Sequence, residues 1–230
     1  MGYKRYAVYF GPRPNEPLHD FGKSWFGTDP ETGASLPTSP LPGYSEDTHS
    51  TIIKAPRHYA LHGTLKPPFV LADGTEYDAL KQAVSDLAVT LSSVTLSPLY
   101  LKDLSGFLAL CPAEPSPSLR IVAGRCVAEL DQFRRPASEG EIEKRRAAGL
   151  TPDQDANLLR WGYPYVLDDF RFHITLTSRL QEMDRLAVAA ALGPRMSHIL
   201  TAPTLLQDLC IYGEPDDGSP FRIVARIPLG

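Results

Sequence analysis

The stretch Phe170-Arg171-Phe172-His173-Ile174-Thr175-Leu176-Thr177 alternates apolar and polar side chains from end to end. Side chains at i and i+2 of an extended strand lie on the same face, so the alternation predicts a half-buried strand over 170–177. Its tetrapeptide His-x-Thr-Leu occurs once more, as His62-Gly63-Thr64-Leu65, and predicts a second such strand over 57–65. Each copy therefore places one imidazole and one hydroxyl side by side on one face of its strand.

The paired motifs point to acid–base chemistry on a phosphate ester. Histidine has an ordinary pKa of about 6.5 and can act as a base or an acid near neutral pH. If the two strands face each other, one of His62 and His173 can activate water while the other protonates the leaving oxygen of a cyclic phosphodiester. The hydroxyls of Thr64 and Thr175 would then donate to the phosphoryl oxygens. The residues leave open which histidine takes which role, and the scheme requires no metal and no cofactor.

Hydrophobic periodicity and turn residues around the motifs predict an α+β fold. Each motif strand is followed by a predicted helix and then by a pair of predicted strands. This repeated order predicts one bilobal domain over 1–230, a duplicated α/β unit with two antiparallel sheets that face a central active-site cleft. The other predicted strands are 3–10, 94–101, 106–111, 205–212 and 221–227, and the main predicted helices are 17–26, about 75–91, 118–133 and 182–192.

Four local features carry predictions of their own. Lys66-Pro67-Pro68 is expected to end the first motif strand, because proline cannot donate to a strand ladder. The Gly-, Pro- and Ser-rich stretch 27–50 predicts a long loop, and its role is left open. Gly63 has no side chain, so another group is expected to pack closely against it. The mixed charges of 141–146, behind a capping box that starts at Ser138, predict a solvated helix face.

Four histidines lie outside the motifs, and three of them, His19, His49 and His198, belong to no recognisable catalytic pattern. His58 lies at the edge of the first predicted motif strand, where a surface role is expected. His19, His49 and His198 are expected to face solvent.

The composition of the 230-residue chain is typical of a globular protein, with 43% hydrophobic and 22% charged residues. The net charge of −4 argues against a broad basic face for extended nucleic acid. Three cysteines without Cys-x-x-Cys spacing favour neither a disulfide framework nor a zinc site, and they fit a reducing compartment. Because no apolar stretch approaches the ~20 residues that span a bilayer, and the first residues have no apolar signal core, a cytoplasmic protein without a membrane partner is expected.

The motifs resemble those of the 2H phosphoesterase superfamily. This superfamily includes bacterial RNA 2′,3′-cyclic phosphodiesterases, also called 2′-5′ RNA ligases, and nucleotide cyclic phosphodiesterases. The resemblance implies a bilobal α+β fold, with the two His-x-Thr pairs as the catalytic residues of a central groove. Two further stretches narrow it to a bacterial branch assigned to phosphonate metabolism and encoded near the carbon–phosphorus lyase pathway. They are Arg57-His58-Tyr59-Ala60-Leu61-His62-Gly63-Thr64-Leu65-Lys66-Pro67-Pro68-Phe69 and Arg160-Trp161-Gly162-Tyr163-Pro164-Tyr165-Val166.

That branch implies a small ribose cyclic phosphate, such as 5-phosphoribosyl 1,2-cyclic phosphate, as the substrate. Five residues near the motifs are candidates for binding it. Arg171 shares a face with the second motif histidine and is the better candidate for an anion, while Lys66 and Arg57 flank the first motif as cations that would neutralise a phosphate. Tyr163 and Tyr165 would line a pocket for a ribose or a base. The expected partner is therefore a small phosphorylated ribose or nucleotide.

Two alternative functions remain open from the sequence. One is the same chemistry on RNA ends or nucleoside 2′,3′-cyclic phosphates, as a phosphodiesterase or a 2′-5′ RNA ligase-like enzyme, which would need a basic track that leads to the cleft. The other is a non-catalytic module that binds a phosphorylated metabolite, which would not need a matched acid and base. The sequence places no constraint on the oligomeric state.

Overall fold

The computed structural model describes residues 2–201 and 203–230 of the chain. The fold is α+β, and the paired strands are antiparallel, so the predicted fold class is confirmed. The strands are β1 (Tyr3–Phe10), β2 (Gly63–Phe69), β3 (Val94–Leu96), β4 (Leu99–Asp103), β5 (Leu108–Pro112), β6 (Ile174–Thr175), β7 (Thr204–Leu206), β8 (Asp208–Pro215) and β9 (Arg222–Pro228). The α-helices are α1 (Pro17–Phe26), α2 (Glu46–Ile53), α3 (Tyr77–Ala88), α4 (Pro117–Glu129), α5 (Glu139–Arg146), α6 (Pro152–Trp161) and α7 (Glu182–Met196).

The strands form a four-stranded sheet in the order β2-β1-β8-β9, a three-stranded sheet in the order β4-β5-β6, and the pair β3-β7. The first motif lies at the start of β2 and the second lies on β6. Each of these strands is at the edge of its sheet, and β2 and β6 contact each other without pairing. The fold therefore brings the two motifs together at the place where two sheet edges meet.

The central strands of the four-stranded sheet are buried on both faces. On one face of β1, Val8 and Phe10 belong to the main hydrophobic core, which also contains apolar residues of α3 and α4. On the opposite face, Tyr9 packs with Tyr212 and Phe221 in a second, smaller cluster. This second cluster forms the floor beneath the first motif histidine.

The first motif strand differs from the predicted 57–65. Residues Pro56–Tyr59 form a short 3₁₀ helix, and β2 runs from Gly63 through both prolines to Phe69. The prediction that Lys66-Pro67-Pro68 ends the strand is wrong, because β2 is an edge strand and proline is tolerated there. The pairing with β1 is also irregular at this point, so the strand bulges around the prolines.

The second motif strand is much shorter than the predicted 170–177. Only Ile174–Thr175 pairs, with β5. The backbone carbonyls just before β6 accept hydrogen bonds from side chains instead of from a neighbouring strand. The Arg171 guanidinium donates to two of them at 2.8 Å, and His173 Nδ1 donates to a third at 2.8 Å.

The prediction of a single long loop over 27–50 is wrong at its end. Its last residues form the first turn of α2, which begins after Ser45. The Ser45 hydroxyl accepts the backbone N–H of Thr48 at 3.2 Å, which caps the helix. The apolar residues that anchor α2, Ile52 and Ile53, lie beyond the stretch, so its own composition gave no sign of a helix.

Two of the histidines expected to face solvent are buried. His49 is fully buried, packs edge-on against the ring of Trp25, and its Nε2 donates to the Trp25 carbonyl at 2.8 Å. His19 is 4% exposed, whereas His198 is exposed as predicted. His58 is half-buried and its Nε2 lies 2.9 Å from a carboxylate oxygen of Glu214, which also pairs with Arg5.

Within residues 2–201 and 203–230, no helix has both the length and the apolar character needed to cross a membrane.

Candidate active site

His62 is held by the turn that precedes β2. Ala60 has a φ of 54°, a conformation that costs a non-glycine residue energy and is often found at functional sites. The turn aims the Ala60 carbonyl at the His62 Nδ1, 3.0 Å away. The imidazole stacks on the ring of Tyr9, with 4.0 Å between the ring centroids. The backbone strain and the stacking together fix the orientation of this imidazole.

His173 is held in the same way at the second motif. Its Nδ1 lies 2.8 Å from the carbonyl oxygen of Arg171, which is also two residues earlier in the chain. The ring of Phe107 lies alongside, with 6.0 Å between the centroids. Both imidazoles are half-buried, and Phe107 lies farther from the His173 ring than Tyr9 lies from the His62 ring.

Each imidazole makes the same kind of hydrogen bond, from Nδ1 to a backbone carbonyl, and this bond decides its tautomer. A carbonyl oxygen only accepts, so the Nδ1 of each histidine must carry the proton. In the neutral ring, Nε2 is then the nitrogen with a free lone pair. Each motif therefore presents Nε2 as the atom that can exchange a proton with a ligand.

All four motif side chains line one cleft of about 410 Å³. They are His62, Thr64, His173 and Thr175, the residues that the sequence predicted to act together. The walls of the cleft also include cationic and aromatic side chains, and the main ones are Arg5, Tyr59, Phe107, Arg145, Tyr163 and Arg179. The cleft thus combines proton-transfer groups, hydroxyl donors and positive charge.

The pKa of His62 is lowered to about 4, chiefly by burial and also by the nearby His173, while the hydrogen bond to the Ala60 carbonyl partly opposes the shift. The stacked Tyr9 ring is one of the groups that exclude water from this imidazole. His62 is therefore neutral at neutral pH, with its Nε2 lone pair available.

The cations of the cleft were not predicted from the sequence. The Arg179 guanidinium donates to the Ser105 carbonyl and lies over the ring of Phe107, 5.8 Å from its centroid. Arg179 lies two residues beyond 170–177, so extending the alternation by one step would have identified it. Arg145 and Arg5 come from distant segments, and no sequence pattern connects them to the motifs.

Three of the predicted substrate-binding residues lie at or beside the cleft. Tyr163 lines the cleft itself, with its ring under the Arg145 guanidinium at 4.8 Å from the centroid. Tyr165 and Arg171 line an adjoining cavity of about 160 Å³ that shares His173 with the cleft. The guanidinium of Arg171 already donates to two backbone carbonyls, as described above.

Lys66 does not reach the cleft, which corrects its assignment as a phosphate ligand. It is 1% exposed, and its Nζ donates to the Val127 carbonyl at 3.0 Å. The cause is the irregular pairing of β2, in which Thr64 lies opposite Tyr9 but Lys66 lies opposite the adjacent Val8. Between these two pairs β2 has one residue more than β1, Leu65, and this bulge turns the Lys66 side chain to the core face of the sheet.

Arg57 is not among the residues that line the cleft, so its assignment as a phosphate ligand is likewise not supported by its position. It lies in the 3₁₀ helix Pro56–Tyr59 rather than in the predicted strand.

No group of three or more His, Cys, Asp and Glu side chains in residues 2–201 and 203–230 is arranged as a set of metal ligands.

A protein family described as "Protein of unknown function (DUF1045)" matches residues 64–222. The chain belongs to the DUF1045 family. The match includes Thr64 and the whole second motif, and it begins just after His62.

Two curated proteins are similar to this DUF1045 chain over nearly all of its length. One from Janthinobacterium sp. (strain Marseille) is 34% identical over 228 residues, and one from Laribacter hongkongensis (strain HLHK9) is 31% identical over 221 residues. The matches cover 97% and 95% of this chain. Both are named ribose 1,5-bisphosphate phosphokinase PhnN, and this chain spans about half the length of each, 50%.

Among solved structures, E. coli LigT in complex with 3′-AMP aligns with 99% of this DUF1045 chain and 99% of its own chain. The sequence identity is 13% and the TM-score is 0.45.

Proposed function

We propose that this DUF1045 protein is a phosphodiesterase that opens a small ribose-based cyclic phosphate by two-histidine acid–base catalysis. The observation that carries the proposal is the pair of imidazoles, each with Nδ1 donating to a backbone carbonyl, that line one cleft beside Thr64 and Thr175. Binding alone would not need two proton-transfer groups of fixed tautomer. The motif resemblance to 2H phosphoesterases supports the same reaction class.

In the proposed mechanism His62 is the general base. Its lowered pKa keeps the imidazole neutral at neutral pH, so its Nε2 can take a proton from the attacking water. An anionic phosphate bound nearby raises the pKa of an imidazole, because the opposite charge stabilises the protonated form. Substrate binding therefore makes His62 a stronger base at the moment when it is needed.

His173 is the general acid on the other side of the phosphorus. Water forms a new P–O bond, the bond between phosphorus and one ring oxygen breaks, and that oxygen receives the proton from His173 Nε2. Thr64 and Thr175 donate hydrogen bonds to the non-bridging oxygens as negative charge builds there. The guanidinium of Arg179, which donates to a backbone carbonyl, stabilises the same oxygens electrostatically.

We further propose 5-phosphoribosyl 1,2-cyclic phosphate as the substrate. If the bond between phosphorus and the 2-oxygen breaks, addition of one water gives ribose 1,5-bisphosphate. This is the compound in the name of both curated relatives, whose sequences are about twice as long as the region that they share with this chain. The proposed reaction would therefore supply a phosphokinase of that name with its ribose bisphosphate.

The first test is turnover on a panel of phosphate esters in the presence of EDTA. The panel contains 5-phosphoribosyl 1,2-cyclic phosphate, a nucleoside 2′,3′-cyclic phosphate and a 2′-5′ linked dinucleotide, each with wild type and His173→Ala. We expect the ribosyl cyclic phosphate to react fastest, and the His173→Ala variant to lose about 10²- to 10⁴-fold in rate. Turnover by wild type that equals turnover by His173→Ala would contradict the mechanism, and an unchanged fold should be verified by circular dichroism.

The aromatic walls of the cleft favour a second candidate substrate. Tyr59 and Phe107 line the cleft, and flat rings can stack on a nucleobase. A nucleoside 2′,3′-cyclic phosphate is therefore the alternative within the same reaction. Faster turnover of that member of the panel would replace the proposed substrate and keep the mechanism.

A further inference from the structure

A second cavity, of about 490 Å³, adjoins the catalytic cleft. The two share the side chains of Arg5, Pro68 and Arg145 as a common wall. We refer to this second space as the basic cavity, because five cations line it and Glu141 is the one carboxylate among the described residues of its wall. The cations are Arg5, Arg134, Arg135, Lys144 and Arg145.

Two of these cations are already neutralised. Arg5 forms an ion pair with Glu214, and Arg134 forms a bidentate pair with Asp131 at 2.8 and 3.2 Å. The structure gives no carboxylate within 4.0 Å to the other three, within residues 2–201 and 203–230. The basic cavity therefore holds positive charge in excess of what its neighbours balance.

Glu141 cancels only part of this excess. Its carboxylate accepts the backbone N–H and the hydroxyl of Ser138, both at 2.8 Å, and so caps α5. These hydrogen bonds lower the pKa of Glu141 and keep it ionised and turned toward the helix start. Arg135 and Arg145 also attract the Glu141 carboxylate, so its single negative charge offsets one of the three cations and a net positive charge remains available to a ligand.

Helix α5 supports this interpretation independently. None of its residues is buried, so α5 contributes little to the hydrophobic core. It is attached to α6 by a bidentate ion pair between Arg146 and Asp155, at 2.6 and 2.8 Å. The predicted solvated helix face is therefore confirmed, and two cations of that helix, Lys144 and Arg145, line the basic cavity.

The basic cavity suits one small anionic group more than a polymer. Its volume lies in the range of small-molecule sites. The protein as a whole carries a net charge of −4, so the positive charge is local rather than part of a long basic track. Because the wall is shared with the cleft, an anion in the basic cavity and an ester at the histidines can belong to the same short molecule.

We infer that the basic cavity binds a second phosphate group, a monoester at the far end of the substrate whose cyclic ester lies at His62 and His173. This inference rests on the proposed function and specifies its substrate class as a sugar that carries two separate phosphates. Arg145 contacts both spaces and orients the substrate between them. Arg135 and Lys144 line only the basic cavity, so they determine specificity without a part in the reaction.

The test compares 5-phosphoribosyl 1,2-cyclic phosphate with ribose 1,2-cyclic phosphate, which lacks the monoester. We expect wild type to prefer the phosphorylated substrate, and the double variant Arg135→Gln/Lys144→Gln to lose about 10- to 100-fold of that preference, mainly through KM. Both side chains are exposed, so the variant should fold. Arg125→Gln removes the same kind of charge from a surface ion pair on α4 and should leave the preference unchanged.

Binding of ribose 5-phosphate, measured by titration calorimetry, gives a readout that does not need turnover. We expect wild type to bind it and the double variant to bind it about 10- to 100-fold more weakly. If no cyclic phosphate is turned over but this difference is found, the proposed function fails and the basic cavity stands as a phosphate site. If cyclic phosphates are turned over but neither readout changes in the double variant, the function stands and this inference is wrong.

A single-stranded oligonucleotide is the third probe. If the double variant weakens its binding and leaves ribose 5-phosphate binding unchanged, the basic cavity is part of a nucleic-acid site and the inference is overturned.

Discussion

At the scale of single residues, each candidate histidine is held by a hydrogen bond from Nδ1 to a backbone carbonyl, but the aromatic surroundings of the two rings differ. The His62 ring is stacked on Tyr9 and its pKa is lowered to about 4, whereas His173 lies beside Phe107 at a larger distance. A pair of titratable groups in unequal environments is typical of an acid–base pair with distinct roles. The asymmetry gives the proposed assignment of His62 as base a physical basis that the two identical motifs lack.

The low pKa of His62 predicts a separation between two pH profiles. The acid limb of kcat/KM reports the free protein, in which the base remains neutral down to about pH 4. The acid limb of kcat reports the complex, in which the substrate anion raises the pKa of His62. We therefore expect the acid limb of kcat at a higher pH than that of kcat/KM, measured from pH 4 to 8 at constant ionic strength.

An NMR titration of the His62 ring, assigned by comparison with His62→Gln, should show the same upward movement of its pKa when inorganic phosphate is added. Acid limbs that coincide, or an order opposite to the expected one, would contradict the assignment of His62 as base.

The buried ammonium of Lys66 leads to a prediction about the pH dependence of stability. Burial lowers its pKa to about 8, and Asp131, 3.5 Å away, partly opposes the shift. Since the unfolded chain holds this proton up to about pH 10.5, the unfolded state binds more protons than the folded state between pH 8 and 10.5. The Lys66 contribution to the free energy of unfolding therefore rises with pH in that window.

We expect Lys66→Met to remove that rise relative to wild type and to change KM by less than about twofold. Asp131 keeps Arg134 as a partner at 2.8 Å, so no carboxylate is left unpaired in the variant. Chemical denaturation at pH 8 and pH 10 measures the first effect. A large increase in KM would restore Lys66 as a substrate ligand.

At the scale of secondary-structure elements, the two motifs meet through a glycine. A Cβ added at Gly63 would lie 2.3 Å from two ring carbons of Phe172, so the expectation of close packing there is confirmed. Phe172 is 8% exposed and packs against Phe10, with 6.0 Å between the ring centroids. The ring therefore has little room to move. The short distance between β2 and the second motif depends on the absence of a side chain at Gly63.

Gly63→Ala should destabilise the protein by about 1–3 kcal/mol and lower kcat, because the new methyl forces the motif segments apart. Denaturant unfolding and turnover measure the two effects. Gly193→Ala in α7 is the matched control, since a Cβ there meets nothing within 4 Å, and it should be neutral or stabilising by up to about 1 kcal/mol. Gly63→Ala with wild-type stability and kcat would mean that the two segments can separate freely.

The sequence predicted regular elements well where one signal dominated. β1 and α1 match their predicted bounds, and the capping box at Ser138 starts α5 as expected. The predictions were wrong where tertiary contacts decide. The path of β2 through two prolines depends on its being an edge strand, and the shortness of β6 depends on side chains that occupy the carbonyls before it.

At the scale of the whole molecule, charge is distributed unevenly. The net charge is −4, yet the cleft and the basic cavity are lined by arginines and a lysine. The four motif residues were predictable because each motif is local in sequence. The basic cavity was not, because its wall joins β1, the segment after α4, and α5, and no local pattern indicates that these will meet.

The position of β2 and β6 at the margins of their sheets has a consequence for solubility. A strand margin with free N–H and C=O groups can pair with another chain and start aggregation, and proteins commonly protect such margins by covering them or by placing proline there. Here Pro67 and Pro68 remove two donors from β2, and the Gly63–Phe172 contact brings the second motif segment against it. The cleft proposed to admit a small phosphate ester thus lies between two strand margins that would otherwise be open to a neighbouring molecule. The architecture that creates the cleft therefore also protects the protein from intermolecular strand pairing.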